Sequence, residues 1–130
     1  MTLQFDAIGL VVNDMAATLG FYRMLGLSIP QDVDTEDHAE AELRNGARIM
    51  WDTIDVVQSF SSWEPSAGGH RISLAFLCDS PGEVDNKHEE LVAAGYRSHV
   101  APFDAVWGQR YATVLDPDDN PVDLFARLTE

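Results

Sequence analysis

The segment VWGQRYATVLDPDDNPVDLF, residues 106–125, places a tryptophan, a glycine and an arginine at the start of a predicted hairpin. Trp107 precedes Gly108, and a glycine where strand pairing begins permits a bulge that redirects the neighbouring indole. Large aromatic side chains are buried both in cores and against ligands. Two interpretations of Trp107 are therefore open: a surface that stacks on a ligand, or a cap on the core beneath the strand.

Carboxylates on predicted strands are the second group of residues that could do chemistry. A buried carboxylate without a partner is costly, so Asp52 is expected to meet an arginine, solvent or a ligand amine. Asp52 and Asp123 are both candidate general bases, a role that needs a raised pKa and a substrate within hydrogen-bond reach. Arg110 could pair with one of these acids or contact a ligand, and a salt bridge explains it at least as well.

Several common catalytic motifs do not occur in the sequence. The four histidines include no pair at the i, i+4 spacing of a helical metal site. There is no glycine-rich phosphate loop and no G-x-S-x-G nucleophile turn. We expect His70, His88 and His99 to be solvated or edge side chains, whereas His38 begins a predicted strand.

The elements that position these residues follow a pattern that begins with an apolar run at 7–12. Asn13-Asp14 then offers a helix N-cap, and Gly26 ends the helical spacing. Three strand-like runs follow, at 27–30, 38–43 and 47–53.

The same pattern recurs in the second half of the chain. An apolar run at 72–78 precedes Ser80, which begins an S-x-x-E capping box with Glu83, and Gly95 ends the helix. Three further strand-like runs lie at 96–103, 109–115 and 121–126.

The order βαβββ therefore occurs twice, which predicts the α+β fold class. We expect one domain over residues 1–130, built from modules at about 1–53 and 70–130 with a linker at 54–69 that is rich in serine, proline and glycine. Each module pairs one helix with a four-stranded sheet. Two such half-barrels would wrap around a shared cleft.

Composition limits the possible partners and compartments. The chain has a net charge of −14, so nucleic acid and anionic membranes are poor partners. The N-terminus has no signal-peptide pattern, and no apolar run reaches membrane-spanning length. The lone Cys78 cannot form an internal disulfide, which favours the cytoplasm.

The paired βαβββ pattern and two motifs resemble the vicinal oxygen chelate superfamily, which includes glyoxalase I, extradiol dioxygenases, fosfomycin-modifying enzymes and bleomycin-binding resistance proteins. The motifs are IGLVVNDMAATLGFYRMLGL at 8–27 and DPDDNPVDLF at 116–125. The closer resemblance is to mitomycin-binding resistance proteins, through WDT at 51–53, GGHR at 68–71, AVWGQRYA at 105–112 and NPVDLFA at 120–126.

The resemblance implies where metal-dependent members hold a divalent ion, namely with His and Glu on inward strand faces. The four corresponding positions here hold Ala7, Met50, Ser73 and Asp123. Alanine has no donor atom, and methionine sulfur suits copper(I) rather than zinc, magnesium or manganese. A divalent site needs about three protein ligands. We therefore expect a protein without metal or other cofactor.

The resemblance also implies that Trp107 and His38 sandwich a flat conjugated ligand. Trp51 should instead point into the core, because it is next to an inward-facing residue. Phe103 and Tyr111 could line the wall of the site or belong to the core. The predicted ligand-binding residues are His38, Trp107, Asp52, Met50, Ser73, Phe103, Tyr111 and Asp123.

These residues predict a homodimeric binding protein that sequesters a small planar organic ligand, such as an antibiotic, and uses no catalytic residues. Phe60 and Trp63 in the linker could contact the second chain. A metal-independent isomerase or lyase of the same fold is the alternative. A ligand sensor is a third possibility, which the sequence does not separate from a sequestering protein.

Overall fold

The computed structural model describes residues 3–65 and 70–128. The chain divides into two compact units, residues 1–67 and 68–130. Residues 66–69 of the predicted linker, which include the first two positions of the GGHR motif, lie outside the described residues, as do the chain ends. The α+β class predicted from the sequence is confirmed by the two sheets and their accompanying helices.

The first unit contains a three-stranded sheet in the order β1-β3-β2. Strand β1 is parallel to β3, and β2 is antiparallel to β3. Its elements are β1 (Ala7–Val12), α1 (Met15–Met24), a 3-10 turn (Gln31–Val33), β2 (His38–Glu42), β3 (Arg48–Thr53) and α2 (Ile54–Gln58).

The predicted strand at 27–30 does not form, and the 3-10 turn follows it instead. The reason is the guanidinium of Arg23, which donates to the carbonyls of Ile29 at 2.9 Å and Pro30 at 2.7 Å and is held by Asp34 at 2.6 Å. These bonds occupy two of the carbonyls that a strand would offer to a neighbour. The predicted linker begins with a short helix, α2, whose N-cap Thr53 hydroxyl accepts from the Val56 amide at 3.3 Å.

Helix α1 begins where the sequence predicted. The Asp14 carboxylate accepts from the Ala17 amide at 3.1 Å, and Gly26 follows the helix with a φ of 99°. Trp51 is fully buried, with its ring 5.4 Å from that of Tyr22 on α1. The prediction that Trp51 belongs to the core is therefore confirmed. Its neighbours in sequence must then lie on the opposite face of the sheet.

The second unit contains a four-stranded sheet in the order β4-β7-β6-β5. Strand β4 is parallel to β7, and the other two pairs are antiparallel. Its elements are β4 (Leu74–Leu77), α3 (Pro81–Ala93), β5 (Arg97–Ala105), β6 (Gln109–Leu115) and β7 (Pro121–Arg127).

Helix α3 has the predicted N-terminal cap. The Ser80 hydroxyl accepts from the Glu83 amide at 3.2 Å, and the Glu83 carboxylate accepts from the Asp79 amide at 2.6 Å. Within the described ranges, no helix combines the length and apolar character needed to cross a membrane.

Strand β4 is shorter than predicted, and Ser73 lies before it rather than inside it. The first pair of the β4–β7 ladder is Leu74 with Val122. The next pair toward the N-terminus would need Pro121, which has no N–H to donate. Ile72, which opens the apolar run at 72–78, also lies before the strand and is 64% exposed.

The two faces of the second sheet differ in character. Alternate residues on β6 and β7 are buried on the α3 side, namely Ala112, Val114, Val122, Leu124 and Ala126. Tyr111, Thr113, Asp123 and Phe125 occupy the intervening positions and so lie on the other face. This second face carries most of the residues that the sequence nominated for binding.

Candidate functional site

Trp107 lies in the turn between β5 and β6 and is 60% exposed, which is not the burial expected of a core cap. Gly108 adopts a φ of 92° and donates its N–H to the Ala105 carbonyl at 3.0 Å, so the glycine serves the turn. The irregular pairing lies earlier, within β5. The indole N–H of Trp107 donates to the Gln109 side chain at 2.9 Å. The turn and this hydrogen bond together position the indole without burying it.

Four aromatic rings form a connected surface that we call the aromatic platform: Phe103, Trp107, Tyr111 and Phe125. The Trp107 ring lies 5.5 Å from Tyr111 at 80° and 6.2 Å from Phe103 at 87°. The ring of Phe125 lies 6.3 Å from that of Tyr111 at 30°. Edge-to-face and offset arrangements of this kind are favourable, so the rings fix one another's orientation before any ligand arrives.

Asp123 adjoins the platform and is held by two hydroxyl groups. Its Oδ2 accepts from the Tyr111 hydroxyl at 2.5 Å, and its Oδ1 accepts from the Thr113 hydroxyl at 2.8 Å. Burial, followed by the hydrogen bond to Asp123, raises the pKa of Tyr111 to about 12. Both donors are neutral, so they orient the carboxylate without cancelling its charge. Thr113 was not among the predicted site residues, although its place on the same face of β6 was available from the two-residue alternation.

Arg110 lies on the helix-facing side of the second sheet. It donates to both oxygens of Asp85 on α3, at 2.9 and 3.3 Å, and to Asp104 at 2.9 Å. The salt-bridge interpretation is therefore correct, but the partners are neither Asp52 nor Asp123. These two hydrogen-bonded acids raise the pKa of Arg110.

The first unit presents a charged surface that we call the polar face: His38 and Glu40 on β2, with Arg48, Met50 and Asp52 on β3. The antiparallel register places His38 directly opposite Asp52. His38 Nδ1 lies 2.6 Å from Asp52, and Nε2 lies 2.8 Å from Glu40. The partner of Asp52 is thus a histidine rather than an arginine. The two carboxylates, Glu40 first and Asp52 second, raise the pKa of His38.

The polar face continues beyond Glu40. Arg48 donates to Glu40 and also to Asp6, which lies before β1, at 2.6 Å. Hydrogen bonds from His38 and then Arg48 lower the pKa of Glu40. Glu40 was not among the predicted site residues. The signal for it was its position two residues after His38, which puts both side chains on one face of a strand.

The positions at which family members hold a divalent metal do not fit such an ion here. Ala7 has no donor atom, and the Met50 thioether lies over Gly9, where an added Cβ would come within 3.8 Å of Met50 Cε. Ser73 is exposed before β4, and Asp123 is engaged by two hydroxyls. Within residues 3–65 and 70–128, no three His, Cys, Asp or Glu side chains are grouped to hold a metal.

The predicted site residues are divided between the two units of the chain. His38, Asp52 and Met50 share the polar face of the first unit. Phe103, Trp107, Tyr111 and Asp123 come together in the second unit, whereas Ser73 lies outside the strand that was expected to position it.

The fold and these two faces define an α+β protein of the glyoxalase type, made of two sheet-and-helix units. Residues 4–124 match the family model of the Glyoxalase/Bleomycin resistance protein/Dioxygenase superfamily, and the chain belongs to that superfamily. A search of curated proteins by sequence found no match.

Solved structures with the same fold come from several bacteria. A glyoxalase/bleomycin resistance protein/dioxygenase family enzyme from Burkholderia phytofirmans PsJN is 18% identical, with a TM-score of 0.82 over 97% of this chain and 100% of that one. A glyoxalase-related enzyme from Fulvimarina pelagi is 20% identical, with a TM-score of 0.82 over 97% and 89%. A glyoxalase/bleomycin resistance protein/dioxygenase from Nocardioides is 23% identical, with a TM-score of 0.74 over 98% and 85%. At these identities, the likeness establishes the fold.

Proposed function

We propose that this protein binds and sequesters a small planar organic molecule of the kind found among antibiotics, without a metal and without converting it. The observation that carries the proposal is the exposed indole of Trp107 within a preoriented aromatic platform beside Asp123. The resemblance to mitomycin-binding resistance proteins, centred on residues 105–112 and 120–126, agrees with this choice of ligand. The unpaired Cys78 agrees with action in the cytoplasm.

The platform offers a flat ligand both apolar surface area and aromatic rings whose orientation is already fixed. Removing about 100 Å² of apolar surface from water contributes about 2.5 kcal/mol before the cost of association. Aromatic stacking contributes about 0.5–1.5 kcal/mol more for each ring pair. Because the rings of Phe103, Trp107 and Tyr111 already support one another, little side-chain entropy is lost when a ligand stacks on them.

Asp123 supplies the polar part of the recognition. Its carboxylate is held in place by the neutral hydroxyl groups of Tyr111 and Thr113. A ligand amine or hydroxyl next to the planar ring system would therefore find an oriented acceptor. Sequestration requires nothing further, because protection depends only on affinity relative to the concentration of the free molecule.

The direct test measures the affinity of Trp107→Ala for planar quinone antibiotics, including mitomycin C, by calorimetry. The matched control is Val106→Ala, which removes the fully exposed neighbouring side chain but leaves the platform intact. We expect Trp107→Ala to lose about 2 kcal/mol of binding free energy, the size of an aromatic hot spot, and Val106→Ala to bind normally. Unchanged affinity in folded Trp107→Ala would overturn the proposal.

We also propose that the protein is a homodimer. Phe60 follows α2 and is 76% exposed, and it is one of the two linker aromatic residues expected to contact a second chain. Light scattering should give twice the chain mass, and Phe60→Ser should shift the population toward monomer. A monomer at micromolar concentration would contradict this proposal.

A metal-independent isomerase or lyase is the second candidate function, and the contact between His38 and Asp52 favours it. A histidine oriented by a carboxylate is a common arrangement for proton transfer. Liquid chromatography coupled to mass spectrometry of a ligand recovered after incubation separates the two functions, because an isomer has the mass of the ligand but a different retention time. A sequestering protein returns the ligand unchanged, whereas an isomerase or lyase returns a product.

A further inference from the structure

We propose that His38, oriented by Asp52 and covered by Glu40, is a proton-accepting site on the polar face that serves a ligand bearing an acidic O–H or N–H group. In the step itself, the ligand proton moves to Nε2 of a neutral His38, which leaves the ligand as an anion beside an imidazolium. The inference is independent of the aromatic platform, which belongs to the other unit of the chain.

The two acidic neighbours of His38 fix the number of protons that it must carry. Its Nδ1 lies 2.6 Å from Asp52 and its Nε2 lies 2.8 Å from Glu40. A carboxylate only accepts hydrogen bonds, and a neutral imidazole has a single N–H. His38 therefore satisfies both acids only when both ring nitrogens are protonated. Once it is neutral, one of the two contacts must open.

The contact that opens when His38 becomes neutral is the one to Glu40. Glu40 keeps Arg48 as a partner after the proton is lost. Within residues 3–65 and 70–128, His38 is the one ion-pair partner of Asp52. The Asp52 side chain is also less exposed than that of Glu40, at 28% against 42%, so an unbonded charge there costs more. The remaining proton thus stays on Nδ1, and the lone pair is on Nε2.

The surrounding charges make this nitrogen a stronger base than free imidazole. Asp52 and Arg48 face His38 from β3, Glu40 faces it from β2 itself, and Asp6 lies beyond Arg48. Three carboxylates and one guanidinium together favour the imidazolium, in agreement with the raised pKa of His38. Because the His38 side chain is 44% exposed, a ligand can reach Nε2 once Glu40 moves aside.

Nuclear magnetic resonance on the full chain labelled with ¹⁵N-histidine tests the tautomer directly. At pH values above the pKa of His38, the neutral imidazole of the wild-type protein should carry its single proton on Nδ1. Glu40→Gln should lower the pKa of His38 and leave that tautomer unchanged, whereas Asp52→Asn should shift the population toward the Nε2–H form. His88, which contacts Ser98 on another part of the chain, is the internal control. A neutral wild-type His38 protonated on Nε2 would overturn the proposal.

Acylation by diethyl pyrocarbonate tests whether the nitrogen becomes accessible, since the reagent attacks an unprotonated imidazole nitrogen. Peptide mass spectrometry gives the rate at His38 relative to His88. At neutral pH, Glu40→Gln should raise this relative rate by at least the factor by which the neutral fraction of His38 increases. An equal relative rate in wild type and Glu40→Gln would mean that Glu40 does not cover the site, and the proposal would then be wrong.

Discussion

The phenolic oxygen of Tyr111 lies 2.5 Å from Oδ2 of Asp123, so a hydrogen bond links the two central strands β6 and β7 of the second sheet. The same tyrosine ring lies 5.5 Å from Trp107 and 6.3 Å from Phe125. One side chain therefore joins the apolar part of the candidate site to its charged part. A substitution of Asp123 should therefore change the orientation of the rings in the aromatic platform.

Asp123→Asn should lower the pKa of Tyr111 from about 12, because the variant removes the negative charge that opposes a phenolate. The pKa of Tyr111 should still remain above its ordinary value in the variant, since burial is the larger cause of the increase. Ultraviolet absorbance titration measures the ionisation, and Tyr111→Phe assigns the signal. Asp85→Asn is the matched control, because that acid bonds to Arg110 on the helix side of the same unit. Equal titrations in wild type and Asp123→Asn would contradict the hydrogen bond.

Trp51 and Trp107 should respond differently to truncation. Trp51→Ala removes a fully buried side chain and should reduce the free energy of unfolding by about 3–5 kcal/mol. Trp107→Ala removes a side chain that is 60% exposed and should reduce it by about 1 kcal/mol, mainly through lost ring contacts. Chemical denaturation measures both. Comparable losses in the two variants would show that Trp107 is a core residue.

Stability should decline as the pH rises through the titration of His38. The folded-state pKa of His38 is raised above its ordinary value, so its contribution is fully present below pH of about 6.5 and is lost as the pH passes the folded-state pKa. Asp52→Asn removes one of the acids that hold the imidazolium and should flatten the decline. Denaturation midpoints of wild type and variant across this range provide the measurement, and parallel curves would argue against the contact.

Chelation should leave the protein unchanged. Ala7, Met50, Ser73 and Asp123 do not form a donor set for zinc, magnesium or manganese. Treatment with EDTA should therefore alter neither the thermal midpoint nor the binding of a planar ligand, and elemental analysis should find no stoichiometric divalent metal. Metal that is lost on chelation together with ligand binding would refute this expectation.

The features that the sequence predicted most accurately are those governed by neighbours in the chain. Asp14 and Ser80 cap their helices through amides three residues away, and these bonds need no other part of the molecule. Gly26 and Gly95 end the helices with φ values of 99° and 101°, which glycine adopts without strain. The two-residue alternation of strands likewise placed Trp51 in the core and Asp52 on the other face.

What the tertiary structure decided was which side chains meet across elements. The pattern at 27–30 is compatible with a strand. However, the guanidinium of Arg23, which lies on α1, donates hydrogen bonds to two carbonyls of this segment. Asp52 and Arg110 each needed a partner of opposite charge, and the chain offers several. The β2–β3 register selected His38 for Asp52, and the packing of α3 on its sheet selected Asp85 for Arg110. Local sequence determines the direction in which a side chain points, whereas strand register and helix packing determine what lies there.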